Sequence, residues 1–156
     1  MSTTDTSQAH IPADEGERLA FLGMELILKI TSDMSGGTLF SAVQIGPPGS
    51  GVPLHIHHND DEFFVLIEGE LRMLVGDERF DMVAGDTVML PKGTPHAFAI
   101  VGERPARFLV TIDLSPDSDY ETMFAGLVGL APTDFERIVE ICGANNTEFM
   151  SPPIMA

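Results

Sequence analysis

The chain is interrupted at short, fairly even intervals by residues that bend a backbone or cannot donate to a ladder. Ser35-Gly36-Gly37, Gly46-Pro47-Pro48-Gly49-Ser50-Gly51, Asn59-Asp60-Asp61, Glu68-Gly69-Glu70, Gly76-Asp77-Glu78-Arg79, Ala84-Gly85-Asp86 and Pro91-Lys92-Gly93-Thr94-Pro95 follow one another along the middle of the sequence. Apolar-rich runs lie between them: Thr38 to Ile45, Phe63 to Ile67, Leu71 to Val75, Phe80 to Val83, Thr87 to Leu90, His96 to Val101 and, after a further gap, Arg107 to Leu114. These runs are too short for packed helices, and several alternate with the period of two that places successive side chains on opposite faces. About eight to ten short strands with tight turns predict an all-β chain, an antiparallel β-barrel or jelly roll.

The ends read differently. Residues 1–16 are small, polar and acidic and predict a flexible N-terminal arm. Arg18 to Ile30 reads as one strand, with Met24, Leu26, Leu28 and Ile30 at period two, so the barrel is expected over residues 17–114. From Ser115 the composition changes. Ser118-Asp119-Tyr120-Glu121 and Thr133-Asp134-Phe135-Glu136 fit the capping box, in which Ser or Thr and a Glu three residues on satisfy free N–H groups at a helix start. Two short C-terminal α-helices are expected within residues 115–156, packed on the barrel through Met123, Leu127 and Leu130 and through Phe135, Ile138 and Ile141, with Ser151-Pro152-Pro153 as an extended tail.

Composition narrows the functional classes. A chain of 156 residues with 44% apolar content suits one domain with a real core. Eight basic against 24 acidic residues give a formal net charge of −16, which repels phosphate backbones and anionic lipid surfaces, so neither nucleic acid nor membrane is expected as a partner. The N-terminal residues lack a basic start and an apolar segment, and a soluble cytoplasmic protein is expected. Cys142 is the only cysteine, so any metal must be held by nitrogen and oxygen.

Three of the five histidines fall within Gly49 to Gly69. His55 and His57 are two apart, so an extended strand points both to one face. Glu62 lies at an odd offset from them, but the Asn59-Asp60-Asp61 turn restarts the count and lets Glu62 face back toward the pair. His96 follows a rigid Pro–Gly turn and shares a face with Phe98 and Ile100. If that face looks inward, His96 meets the other three.

The two segments resemble the paired motifs of the cupin superfamily. G-x5-H-x-H-x4-E-x6-G matches Gly49, His55, His57, Glu62 and Gly69, and G-x5-P-x-G-x2-H matches Gly85, Pro91, Gly93 and His96. The second motif usually ends in Asn four residues after its His, where this chain has Ile100. The resemblance implies a cupin-type barrel in which His55, His57, Glu62 and His96 bind one divalent metal ion, whether iron, nickel, cobalt, manganese or zinc. The chain is similar to the quercetin 2,3-dioxygenase-like group, small single-domain bacterial cupins among them. That likeness implies a metal-dependent oxidoreductase, a dioxygenase acting on an enolisable aromatic or flavonol-like molecule, with Glu62 as catalytic base. The alternatives are a redox-neutral lyase, isomerase or dehydratase on the same metal, or a non-catalytic small-molecule-binding module.

The same-face rule lines the substrate pocket with Phe64, Leu66, Phe98 and Ile100, an apolar wall suited to an apolar or aromatic small molecule; Phe40 and Met89 are weaker candidates. The other residues of note read as structure: His58 faces away from the pair, His10 is a tail histidine, Asp60-Asp61 build a turn, and Cys142 is a small buried apolar residue. Arg72 and Arg107 are the strand-placed cations to check for a phosphate-bearing substrate. Apolar residues on both faces of Phe63-Val65-Ile67 lead us to expect a homodimer.

Overall fold

The computed structural model describes residues 9–150. The first half of the expected N-terminal arm and the Ser151-Pro152-Pro153 tail lie outside them. Among the described residues, eleven strands run in chain order as β1 (Arg18–Phe21), β2 (Met24–Ile30), β3 (Leu39–Gly46), β4 (Gly51–His57), β5 (Asp61–Glu68), β6 (Glu70–Val75), β7 (Glu78–Met82), β8 (Thr87–Leu90), β9 (His96–Val101), β10 (Ala106–Asp113) and β11 (Thr147–Phe149). They form two antiparallel sheets, β1-β2-β3-β10-β5-β8 and β11-β4-β9-β6-β7, packed face to face as a jelly roll. Helices α1 (Ser32–Ser35), α2 (Tyr120–Leu127) and α3 (Phe135–Gly143) complete the described chain.

The expected single strand from Arg18 to Ile30 is a hairpin instead. Leu22 and Gly23 both have positive φ, 50° and 78°, and Phe21 pairs with Met24. A two-residue turn of this hand matches strand twist. Leucine seldom takes that conformation, which is why the turn left no sequence signal. The neighbouring N-terminal residues lie against β2, where the Lys29 Nζ donates to the carbonyls of Pro12, Ala13 and Glu15.

Alternation along the strands builds the core from both inner faces. Leu26, Leu28, Phe40, Ala42, Phe64, Leu66, Phe108, Val110 and Ile112 come from the six-stranded sheet, and Leu71, Met73, Phe98 and Ile100 from the other. Phe64, Phe98 and Phe108 pack as a triad with ring centroids 5.0 to 5.6 Å apart, tying the two sheets together. Gly51 allows β4 to lie close on β9, since a Cβ there would sit 2.2 Å from the Phe98 carbonyl oxygen.

Neither helix start uses the expected capping box. Asp119 caps α2, its carboxylate accepting from Thr122 N at 3.1 Å, while Ser118 donates to Asp60 instead. At α3 the Asp134 side chain accepts from Ala131 N, outside the helix. Met123 and Leu127 are buried as expected, but α3 buries Ile138 and Cys142, with Phe135 and Ile141 only partly covered. The i, i+4 spacing of Ile138 and Cys142 is the stripe that faces the barrel. Among the described residues, no helix is long and apolar enough to cross a membrane.

Candidate metal centre

The four motif residues come from both sheets. His55 and His57 lie on β4 and His96 on β9, all in the five-stranded sheet, whereas Glu62 lies on β5 in the other. The β4–β5 connection is therefore a crossing between sheets, and residues 58–60 carry the chain over. Glu62 faces inward because it shares the inner face of β5 with Phe64 and Leu66.

Local features set each ligand. On β4 the pairing with β9 slips between Val52 and His55, so that Pro53 and Leu54 oppose Ala97 alone, and His55 ends directly opposite His96. Pro53, which lacks an N–H, sits in that irregularity, and its carbonyl accepts from His55 Nδ1 at 2.7 Å. The turn before His96 is anchored to the first motif twice, by Gly93 N to the His57 carbonyl at 2.8 Å and by Lys92 N to Asp61 Oδ1 at 2.9 Å. Thr94 O then takes His96 Nδ1 at 3.1 Å.

One candidate ligand atom from each of the four residues lies within 4.8 Å of the others, and all four residues are buried. Glu62 Oε1 is 3.5 Å from His57 Nε2 and 3.3 Å from His96 Nε2. A carbonyl oxygen only accepts, so His55 and His96 carry hydrogen on Nδ1 when neutral and keep the Nε2 lone pair free. His96 Nε2 is the one buried side-chain polar atom among the described residues without a hydrogen-bond partner. A buried, unsatisfied nitrogen aimed at a carboxylate and two other imidazoles fits a metal ion.

The electrostatics fit as well. Burial, then the neighbouring His96 and His57, push the His55 pKa well below its ordinary value, so its imidazole is neutral and available as a ligand. For Glu62, burial acts to raise the pKa, but the adjacent His57 and His96 outweigh it and hold the carboxyl far below the usual carboxylate range. Glu62 is thus an anion among imidazoles.

His57 is held by residues that no motif contains. Its Nδ1 is 3.0 Å from the Tyr120 hydroxyl on α2 and 3.1 Å from Thr147 Oγ1 on β11. Asp60, expected only to build a turn, is buried and accepts from Ser115 N, Ser118 Oγ and the Tyr120 hydroxyl at 2.6 to 2.8 Å. Phe149 stacks on His55 with ring centroids 5.1 Å apart.

Beside the four residues is a cavity of about 50 Å³. Phe64 and Phe98 stand on its wall, joined by Phe21 and Leu22 from the hairpin, Gln44 and Val110 from the sheet, and Met123, Phe124, Leu127, Cys142 and Phe149 from the C-terminal segment. Leu66 and Ile100 share the faces of Phe64 and Phe98 but are buried in the core away from the cavity wall. Each lies four residues past a ligand, about 13 Å along a strand. Phe40 also packs in the core, and Met89 is on the outer surface. Burial raises the Cys142 thiol to about 12, so it stays a neutral apolar lining residue.

The remaining candidates lie apart from the centre. His10 and His58 are exposed, the latter 3.5 Å from Glu148. Arg72 pairs with Asp81 on the outer surface, and neither it nor Arg107 reaches the cavity. No lysine or arginine is on the cavity wall.

Comparison with known proteins agrees with this geometry. Residues 42–112, which hold all four ligands, match the family described as Cupin domain. The chain is 33% identical over 91 residues, 58% of its length, to quercetin 2,3-dioxygenase of Bacillus subtilis, and that match covers 27% of the relative. The matched stretches span 27 to 56% of the lengths of the curated relatives. Among solved structures, a predicted oxalate decarboxylase from Thermotoga maritima superposes with a TM-score of 0.62 at 24% identity, covering 68% of this chain and 99% of that one. A sugar phosphate isomerase from Silicibacter pomeroyi gives 0.61 at 25%, covering 69% and 76%.

Proposed function

We propose, from the chain's membership of the cupin superfamily, that it is a metal-dependent dioxygenase for an enolisable aromatic small molecule. The observation that carries this reading is the set of three imidazoles and one carboxylate converging beside an aromatic wall of Phe21, Phe64, Phe98, Phe124 and Phe149. A divalent ion held there by His55, His57, Glu62 and His96 would supply Lewis acidity and, if redox-active, a site for dioxygen.

The protein's own groups would do the rest. Phe64 and Phe98 would hold an aromatic ring against the ligands, and the apolar wall would keep water from a reactive intermediate. Glu62, the one carboxylate on the cavity wall, would serve as the base that takes the enol proton. The similarity to quercetin 2,3-dioxygenase supports a flavonol-like substrate. A cavity of about 50 Å³ is smaller than such a ring system, so admission requires the wall to open. Residues from the C-terminal segment form much of that wall and are the ones we expect to move.

A redox-neutral lyase or isomerase is the second reading, favoured by the small cavity and by the likeness to a sugar phosphate isomerase. A phosphate-bearing substrate fits poorly, because no cationic side chain is on the wall. Oxygen-electrode recordings on metal-loaded protein with flavonols and β-diketones separate the two readings. Oxygen consumption matched by substrate loss is expected, and turnover under strict anaerobiosis would overturn the dioxygenase assignment.

The outer face of the six-stranded sheet supports the homodimer. Phe63, Ile67 and Met89 are 37%, 44% and 51% exposed side by side on β5 and β8, an apolar surface that a second copy would cover. Sedimentation velocity at micromolar concentration is expected to return a species near twice the chain mass.

A further inference from the structure

We infer that Tyr120, held by Asp60, is a positioning residue for His57, fixing its imidazole with hydrogen on Nδ1 and thereby aiming the Nε2 lone pair at the other three ligands. This rests on the metal-centre reading but on no particular reaction.

The argument is a count of hydrogens. Tyr120 is buried, and its hydroxyl lies 2.8 Å from Asp60 Oδ2 and 3.0 Å from His57 Nδ1. A carboxylate oxygen only accepts, so the single hydroxyl hydrogen goes to Asp60 and the phenol oxygen offers His57 a lone pair. Thr147 repeats the arrangement. Its Oγ1 donates to the Asn145 carbonyl at 3.5 Å and faces His57 Nδ1 at 3.1 Å. With its hydrogen committed to Asp60, the Tyr120 hydroxyl leaves Nδ1 the role of donor toward it, and Thr147 Oγ1 stands within reach of the same nitrogen.

The other two imidazoles are set differently. His55 and His96 each use a backbone carbonyl two residues earlier in their own segment, Pro53 and Thr94. His57 depends on side chains 63 and 90 residues further along the chain. Asp60 gives that dependence its rigidity. It lies three residues after His57 and gathers Ser115 N, Ser118 Oγ and the Tyr120 hydroxyl, so the start of α2 is fastened to the turn between two ligands. Docking of the C-terminal segment and readiness of the metal site are therefore coupled, and the coupling is reciprocal.

Tyr120→Phe isolates the hydroxyl, since the ring can still pack on Phe40 and Phe124. Competition between protein and a chromophoric chelator for Co(II) and for Zn(II) is expected to show affinity about tenfold weaker in Tyr120→Phe and about 100-fold weaker once Thr147→Val is added. The visible Co(II) bands should shift in both variants. Unfolding midpoints of the metal-free variants, measured in parallel, distinguish loss of positioning from loss of fold. Unchanged affinity and an unchanged Co(II) spectrum in the folded double variant would overturn the assignment.

A second measurement needs no variant. Long-range ¹H–¹⁵N correlation of the imidazoles in metal-free wild-type protein is expected to report hydrogen on Nδ1 for His57, and hydrogen on Nε2 would overturn the inference. Because the tautomer is read without metal, failure of the wild type to bind either ion would count against the metal-centre reading alone.

Discussion

Glu62 and His96 belong to opposite sheets, yet Glu62 Oε1 lies 3.3 Å from His96 Nε2. The centre is therefore a junction between the two layers, and each layer alone holds an incomplete ligand set. This arrangement predicts that metal binding stabilises the pairing of the sheets. Metal-loaded protein should melt above metal-free protein by a margin that grows with free metal concentration, as expected for a ligand bound only by the native state. Differential scanning calorimetry across a metal titration measures it.

His96→Ala should abolish stoichiometric metal binding, with affinity reduced on the order of 100-fold or more, beyond the loss expected for a supporting residue. Glu62→Gln should also weaken binding, because an amide brings no charge to the ion. Elemental analysis of the purified variants against wild type reads both outcomes.

Acid should destabilise the metal-free protein in two stages. The His55 pKa is depressed in the fold, so below the ordinary value of 6.5 the unfolded chain binds a proton that the native chain does not. Stability should then fall with decreasing pH, by up to about 1.4 kcal/mol per pH unit for this one proton. Glu62 is depressed too, and its contribution, fully present above the ordinary value of 4.5, is lost as pH falls through the native value. Urea unfolding of metal-free protein between pH 7.5 and 4 should show the decline beginning near pH 6.5.

Gly51→Ala should damage both stability and metal affinity. The added Cβ would meet the Phe98 carbonyl oxygen at 2.2 Å, forcing β4 away from β9 at the Gly51–Ala99 pair and straining the ladder whose other end brings His55 opposite His96. Overpacking of this kind costs about 1 to 3 kcal/mol. Chemical denaturation and chelator competition on the same preparation should reveal both losses.

Phe108→Ala should cost about 3 to 5 kcal/mol, since this fully buried ring contacts both Phe64 and Phe98. Denaturant midpoints measure the loss. Removal of the ring should also slacken the wall residues that stand beside the ligands.

The parts that could be read from the chain were those whose causes are local. Glycine, proline and aspartate mark most strand ends because they supply φ values or missing donors that ladders cannot absorb. The two motifs give the four ligands because strand parity and the two turns act over a few residues. The Leu22-Gly23 hairpin left no such mark, since leucine takes positive φ there under tertiary constraint. The capping boxes failed for a related reason: Ser118 has a better acceptor in Asp60, 58 residues earlier in the chain. Strand β11 is only three residues long, and pairing with β4 is what makes it a strand.

The sequence by itself determined the strand-rich class and the nitrogen-and-oxygen character of any metal site, because those follow from residue chemistry and short-range geometry, and its resemblance to the cupin motifs implied the four candidate ligand residues. Only the tertiary structure decided that the ligands straddle two sheets, that Leu66 and Ile100 lie in the core away from the cavity, and that His57 is aimed by Tyr120 and Thr147. Those outcomes depend on which distant surfaces pack together. A segment's own residues carry little record of the partner it will meet 60 or 90 positions away.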